Sequence, residues 1–145
     1  MKLSLHDYIS IKIHQTDLHL TSYIKTKLEV FNIAPEQNLI MMLLWEQDGL
    51  TQNQISQKLN KDKTNIARMA SNLEKKGFIS RVNCHDDRRS VKLYLTPEGR
   101  ALGEKVIPIT EEFNDIVTKN ISKEELQQLE KTLKKMSNNV DCFLK

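Results

Sequence analysis

The hydrophobic period of the chain changes at Gly77, and few folds accommodate what lies on either side of that change. Before it stand two short helical stretches. Thr51-Gln52-Asn53-Gln54 is a capping box, in which the threonine hydroxyl and the glutamine amide each satisfy an orphan end of the helix. Ile55 and Leu59 then face inward. After a break at Asn60-Lys61 comes a second helix with Ile66, Met69, Ala70 and Leu73 on one face. Beyond Gly77 the spacing becomes that of strands: residues 79–83 and 91–95 read as extended, with Val91, Leu93 and Leu95 alternating with Lys92 and Tyr94. Between them His85-Asp86-Asp87-Arg88-Arg89 is polar and turn-rich. Two short helices joined by a tight turn make a helix-turn-helix outline, and the hairpin behind it makes that outline winged.

The rest of the chain predicts helix. Leu5, Ile9, Ile13, Leu20, Ile24, Leu28 and Phe31 form one helical stripe, with Ser4 as N-cap and Asn32 as stop. Pro35 opens a helix at the position where its missing N–H has no partner to lose. Leu39, Ile40, Leu43 and Leu44 are its expected inward face, and Gly49 its end. Thr96-Pro97 starts another helix, which is expected to run past Asn114 with a kink at Pro108. Ser122-Lys123-Glu124-Glu125 caps the last, whose Leu126, Leu129, Leu133, Met136 and Val140 trace a heptad seam. Only 6% aromatic residues and 4 glycines speak against a sheet-rich fold. The expected fold class is mainly α with a small β-hairpin wing. The chain is expected to form a single domain over residues 1–145.

Charge narrows the partner. Between Asn60 and Thr96 nine Lys/Arg face four Asp/Glu, a balance of +5, whereas the remainder carries −2. A basic segment in an otherwise slightly acidic chain suits a polyanion, because neutralising phosphates releases condensed counterions. With its apolar side turned inward, the second helix of the pair presents Thr64, Ala67, Arg68, Ser71 and Lys75, with Lys63 and Asn65 at its start. Arginine bonds a guanine edge at two atoms and asparagine an adenine edge, while small residues admit the helix to the major groove. The expected DNA contacts are therefore Lys63, Thr64, Asn65, Arg68, Ser71, Arg88, Arg89 and Lys92. Arg88 and Arg89 would reach a minor groove from the hairpin tip. Asp87, ill suited to phosphates, is expected to orient Arg89.

These residues together resemble the MarR family of winged-helix regulators. The resemblance runs from Leu39 to Gly103 and includes Leu73-Glu74-Lys75-Lys76-Gly77-Phe78-Ile79. It is carried most specifically by Asp87-Arg88-Arg89, similar to the family's Asp-x-Arg wing, and by Leu95-Thr96 with Gly99, similar to its Leu-Thr-x-x-Gly helix entry. It implies a DNA-binding lobe over residues 35–96, with residues 1–33 and 97–145 as dimerisation helices. It further implies a homodimer on a pseudo-palindromic double-stranded DNA operator, usually repression, and release by a small ligand or by cysteine oxidation. The heptad seam and the first-helix stripe support the dimer independently, since one small domain has too little core to bury both.

Three effector readings follow. The family's peroxide-sensing branch uses a cysteine in the first helix, where this chain has none; Cys84 and Cys142 are the two cysteines, and Cys84 near the wing is the redox alternative. The histidines His6, His14, His19 and His85 make no close ligand set, and the histidine pair of the zinc-responsive relatives is missing, so no metal or other cofactor is expected. A small organic effector remains, with Tyr8, His14, Met41, Met42 and Trp45 as its expected lining. No glycine-rich phosphate loop, nucleophile elbow or ligand cluster suggests an enzyme. A winged-helix adaptor that binds protein is the competing class. With no membrane-length apolar run and no signal-peptide pattern, a cytoplasmic location is expected.

Overall fold

The structure is a computed structural model describing residues 4–84 and 87–144, and of residues 87–89 the backbone alone. The elements follow in the order α1 (Ile9–Glu29), α2 (Pro35–Glu46), α3 (Gln52–Leu59), α4 (Lys63–Lys75), β1 (Ile79–Cys84), β2 (Asp87–Leu95), α5 (Pro97–Val117) and α6 (Lys123–Leu144). The chain divides between Glu111 and Glu112 into two compact units.

In the first unit, local capping decides where most helices begin. Thr51 Oγ1 accepts from the Gln54 N–H at 3.1 Å and Gln54 Oε1 from the Thr51 N–H at 2.9 Å, as the sequence predicts. Asn60, in the left-handed region at φ 52°, ends α3, and Asp62 caps α4 by accepting the Asn65 N–H at 2.7 Å. Ser56 donates to the carbonyl of Lys61 across this turn. The first helix starts later than expected. Residues 5–7 form a single 3-10 turn in which the Ser4 N–H and hydroxyl both donate to Asp7 at 3.1 Å, and Tyr8 is extended, so α1 opens only at Ile9.

The core gathers around Leu28, Ile40, Met41, Leu44, Ile55, Ile66, Leu73, Ile79, Leu93 and Val106, all fully buried. The inward residues expected of α4 are all buried. The expected face of α2 is corrected by about one residue: Met41 is fully buried with Ile40 and Leu44, whereas Leu39 is exposed and Leu43 half-buried. Every residue from Leu39 to Trp45 is apolar, so the sequence alone does not fix which arc is buried, and packing against neighbouring elements decides it.

The strands pair antiparallel from Ile79 opposite Leu95 to Asn83 opposite Val91, with a register shift before Cys84 meets Asp87. Both run longer than the sequence predicts. Residues 49–51 pair with β2 as well, which the sequence does not predict: Gly49 N–H donates to the Leu93 carbonyl, Leu93 N–H to the Leu50 carbonyl, and Thr51 bridges Lys92. Gly49 adopts φ 78°, which favours glycine.

One junction ties three elements together. Thr96 Oγ1 accepts from the Gly99 N–H at 3.0 Å, capping α5, and donates to the Gly77 carbonyl at 2.6 Å. The Thr96 N–H donates to the Phe78 carbonyl, and that oxygen lies 2.0 Å from where a Cβ on Gly99 would stand. Only glycine admits so close an approach.

In the second unit, Ser122 and Glu125 form the expected capping box of α6. None of the 22 residues of that helix is buried. Leu129 is 52% exposed, Val140 58% and Phe143 92%. No helix among the described residues is long and apolar enough to cross a membrane.

Candidate nucleic-acid interface

Helix α4 places the candidate reading residues on the side opposite its buried face. Lys63, Thr64, Arg68 and Lys75 are exposed, and Asn65, Ala67 and Ser71 are half-buried along the margin. The first turn carries a chain of polar contacts. Asn65 Nδ2 donates to Asp62 Oδ2 at 3.0 Å, and Arg68 Nη2 donates to Asn65 Oδ1 at 2.9 Å. Two candidate residues, Asn65 and Arg68, are thus connected to each other and to the cap Asp62.

The hairpin is fastened to the other end of the same helix. Glu74 accepts from the Arg81 N–H at 3.0 Å and from its guanidinium at 3.1 Å. The Arg81 backbone N–H, opposed by desolvation and aided by the Arg81 guanidinium, lowers the pKa of the Glu74 carboxyl. Asp48 holds the far strand: its Oδ1 accepts from the Leu95 N–H at 2.9 Å and its Oδ2 from Arg100 at 3.1 Å. Lys76 is withdrawn from any ligand. Its ammonium donates to the Asn32 carbonyl at 2.7 Å and to Gln37 Oε1 at 2.8 Å, joining the ends of α1 and α4 to the start of α2.

Of the expected wing contacts, Lys92 stands half-buried in mid-β2, opposite Val82 and bridged to Thr51. The side chains of Asp87, Arg88 and Arg89, with His85, lie outside the described residues. Acidic partners of the basic side chains were the main feature missed by sequence reasoning. Asp62 announces itself as an N-cap three residues before Asn65, but the reach of Glu74 to Arg81 depends on the turn at Gly77.

The five residues expected to line an effector pocket differ in exposure, and none of them lines the cleft found in the first unit. Tyr8, His14 and Met42 are exposed, whereas Met41 is fully buried. Trp45 is half-buried with its indole N–H donating to the Gly99 carbonyl at 3.0 Å, and its ring passes where a Cβ on Gly103 would stand. A cleft of about 290 Å³ lies elsewhere in the first unit, lined by Phe31, Phe78, Glu98, Ala101, Leu102 and Lys105. Cys84 is half-buried beside Ser90, its sulfur 3.6 Å from the hydroxyl, and Cys142 is exposed on α6.

Comparison with known proteins agrees with this geometry. A MarR family profile matches residues 33–91, which span α2, α3, α4 and most of the hairpin. The organic hydroperoxide resistance transcriptional regulator of Bacillus subtilis (strain 168) is 30% identical over 107 residues, 74% of this chain and 73% of that one. The structure of the S. aureus MepR–DNA complex superposes with a TM-score of 0.83 at 30% identity, covering 91% of this chain and 98% of that one. A MarR protein from Peptoclostridium difficile shares the fold at a TM-score of 0.84 and 23% identity, over 97% and 92% of the two chains. With a winged helix-turn-helix, basic side chains on the exposed face of α4 and relatives that match across most of both chains, this chain belongs to the MarR family of transcriptional regulators.

Proposed function

We propose that the protein binds a pseudo-palindromic double-stranded DNA site as a homodimer, with α4 in the major groove and the hairpin tip at the adjoining minor groove. The observation that carries the reading is the exposed face of α4, on which Lys63, Thr64, Arg68 and Lys75 are free of the core while Glu74 and Arg81 hold the hairpin against the same helix. A reading helix and a wing fastened together present their cations in one orientation, which lowers the ordering cost of binding. The structurally similar MepR has been solved with DNA, which supports the same ligand here.

Homodimerisation is supported by apolar surface that each unit leaves uncovered. In the second unit this is the α6 seam, and in the first it is the start of the α1 stripe, with Leu5 60% and Ile9 56% exposed. Exposed apolar stripes of this length mark association surfaces. A two-fold dimer would set two α4 helices about 34 Å apart, one turn of DNA. Repression, and its release by a small organic effector, rest on the family resemblance. The cleft beside Phe31 and Phe78 is the place to look for such a ligand, its volume being at the lower edge of the roughly 300–1,000 Å³ usual for small-molecule sites.

The test is selection of bound duplexes from a random pool, followed by titration at several salt concentrations. Arg68→Ala is expected to weaken binding about 10- to 100-fold and relax the preference at one base pair, and Lys63→Ala to lower the salt slope by about one. A dimer without salt-dependent DNA affinity would favour the protein-binding adaptor.

A further inference from the structure

We infer that Asp62 and Asn65 are positioning residues that hold Arg68 for a guanine edge, and that Asn65 reads no base itself. The inference rests on the DNA-reading assignment of α4 and sharpens it.

What each group is able to donate fixes how the three can meet. A guanidinium donates only, an ionised carboxylate accepts only, and an amide has one accepting and one donating end. Asn65 stands between the other two, with Oδ1 2.9 Å from Arg68 Nη2 and Nδ2 3.0 Å from Asp62 Oδ2. The reverse orientation of that amide would set N–H against N–H on one side and oxygen against oxygen on the other. Its direction is therefore dictated by its neighbours. Asp62 is itself held, because its Oδ1 accepts the Asn65 N–H at 2.7 Å as the cap of α4.

Two consequences follow for recognition. An asparagine that reads adenine uses both amide ends on N6 and N7 of the base. Each end of Asn65 already has one partner within the protein, so a two-point contact with adenine would have to be made by the second N–H and the second lone pair, with the amide still held in place by Asp62 and Arg68. Arg68, in contrast, gives one N–H to Asn65 and keeps the others, enough for the two-point contact with guanine O6 and N7. The relay thus takes up part of the rotamer freedom of a long side chain before DNA arrives, a saving worth roughly three- to tenfold in affinity. Asp62 also brings a negative charge toward the groove, which is unfavourable near phosphates and is tolerated where it orients a reading residue.

Affinities of the full-length protein are measured on its selected duplex, on single-base variants, and on a duplex with 7-deazaguanine at the base pair that Arg68→Ala ceases to discriminate. Asn65→Ala and Asp62→Asn are expected to lose discrimination at that same base pair by three- to tenfold. Asp62→Asn retains the cap through its amide oxygen, but its NH2 turns the Asn65 amide around and sets a donor against Arg68. Its readout is the discrimination ratio, since losing a negative charge raises affinity for every sequence. In an Arg68→Ala background neither change should matter further, which is the signature of residues acting through one another. Thermal unfolding of each variant confirms that α4 remains capped. If Asn65→Ala instead relaxed preference at a different, adenine-containing base pair and added fully to Arg68→Ala, the relay would be overturned and Asn65 would be a reader. If Arg68→Ala bound and discriminated as the parent does, the base-reading assignment itself would fall.

Discussion

Adding one methyl group at Gly99 should damage this protein more than its position on a helix suggests. Alanine is the better helix former by about 1 kcal/mol, and an ordinary Gly→Ala change in the first turn of α5 would stabilise it. Here the new Cβ would lie 2.0 Å from the Phe78 carbonyl oxygen, where ordinary contact begins at 3.4 Å. The separation has to open by about 1.4 Å. The obstacle is backbone, so no side-chain rotation relieves it. That same oxygen accepts the Thr96 N–H, and the Thr96 hydroxyl links the Gly77 carbonyl to the Gly99 N–H. Overpacking costs about 1–3 kcal/mol, and weakening two such hydrogen bonds adds about 1–2 kcal/mol. After the helix gain is subtracted, Gly99→Ala should destabilise by about 1–4 kcal/mol. The assay is urea unfolding followed by circular dichroism, with Gly77→Ala as reference. Gly77 has φ 87° and nothing within 4 Å of an added Cβ, so it isolates the conformational cost, about 1–2 kcal/mol. A Gly99→Ala protein as stable as the parent would refute the claim that the α4–β1–α5 junction depends on that close approach.

Other expectations follow from contacts of the same kind. Because Glu74 has its folded pKa lowered, its pair with Arg81 contributes fully above the ordinary glutamate value and is lost as pH falls through the lowered folded value. Glu74→Gln should flatten the stability profile in that acid range while changing little at pH 7, since both partners are about one-third exposed; an unchanged acid profile would count against the pair. Asp48→Ala removes the acceptor of the Leu95 N–H and the partner of Arg100, and should cost about 1–2 kcal/mol in urea unfolding. Leu129→Glu combined with Leu133→Glu places charge on the exposed α6 seam and should yield a monomer in analytical ultracentrifugation, whereas an intact dimer would remove that face from the interface.

Much of the candidate site was legible because it is encoded over one helical turn. The capping boxes at Thr51 and Ser122, the N-cap at Thr96, and the inward set Ile66, Met69, Ala70 and Leu73 all depend on residues three or four apart. The two strands were legible in existence but not in extent, since pairing with a neighbour extends a strand beyond its own alternation. The start of α1 was misread because a regular apolar spacing from Leu5 says nothing of the local bonds between Ser4 and Asp7 that stop the turn short.

What tertiary structure alone decided involves partners distant in the chain. Asp48 meets Leu95 across 47 positions and Trp45 meets Gly99 across 54. The pairing of residues 49–51 with β2 exists only because Gly49 and Leu50 reach Leu93. On α2, where every residue from Leu39 to Trp45 is apolar, neighbouring elements chose Met41 for the core over Leu39. By itself the sequence determined the order of elements, the exposed face of α4 and the family, because helical period, caps and turn glycines act locally. Which charges are free for a ligand and which are committed within the protein was settled by the fold, because hydrogen bonds depend on where folding brings each donor and acceptor.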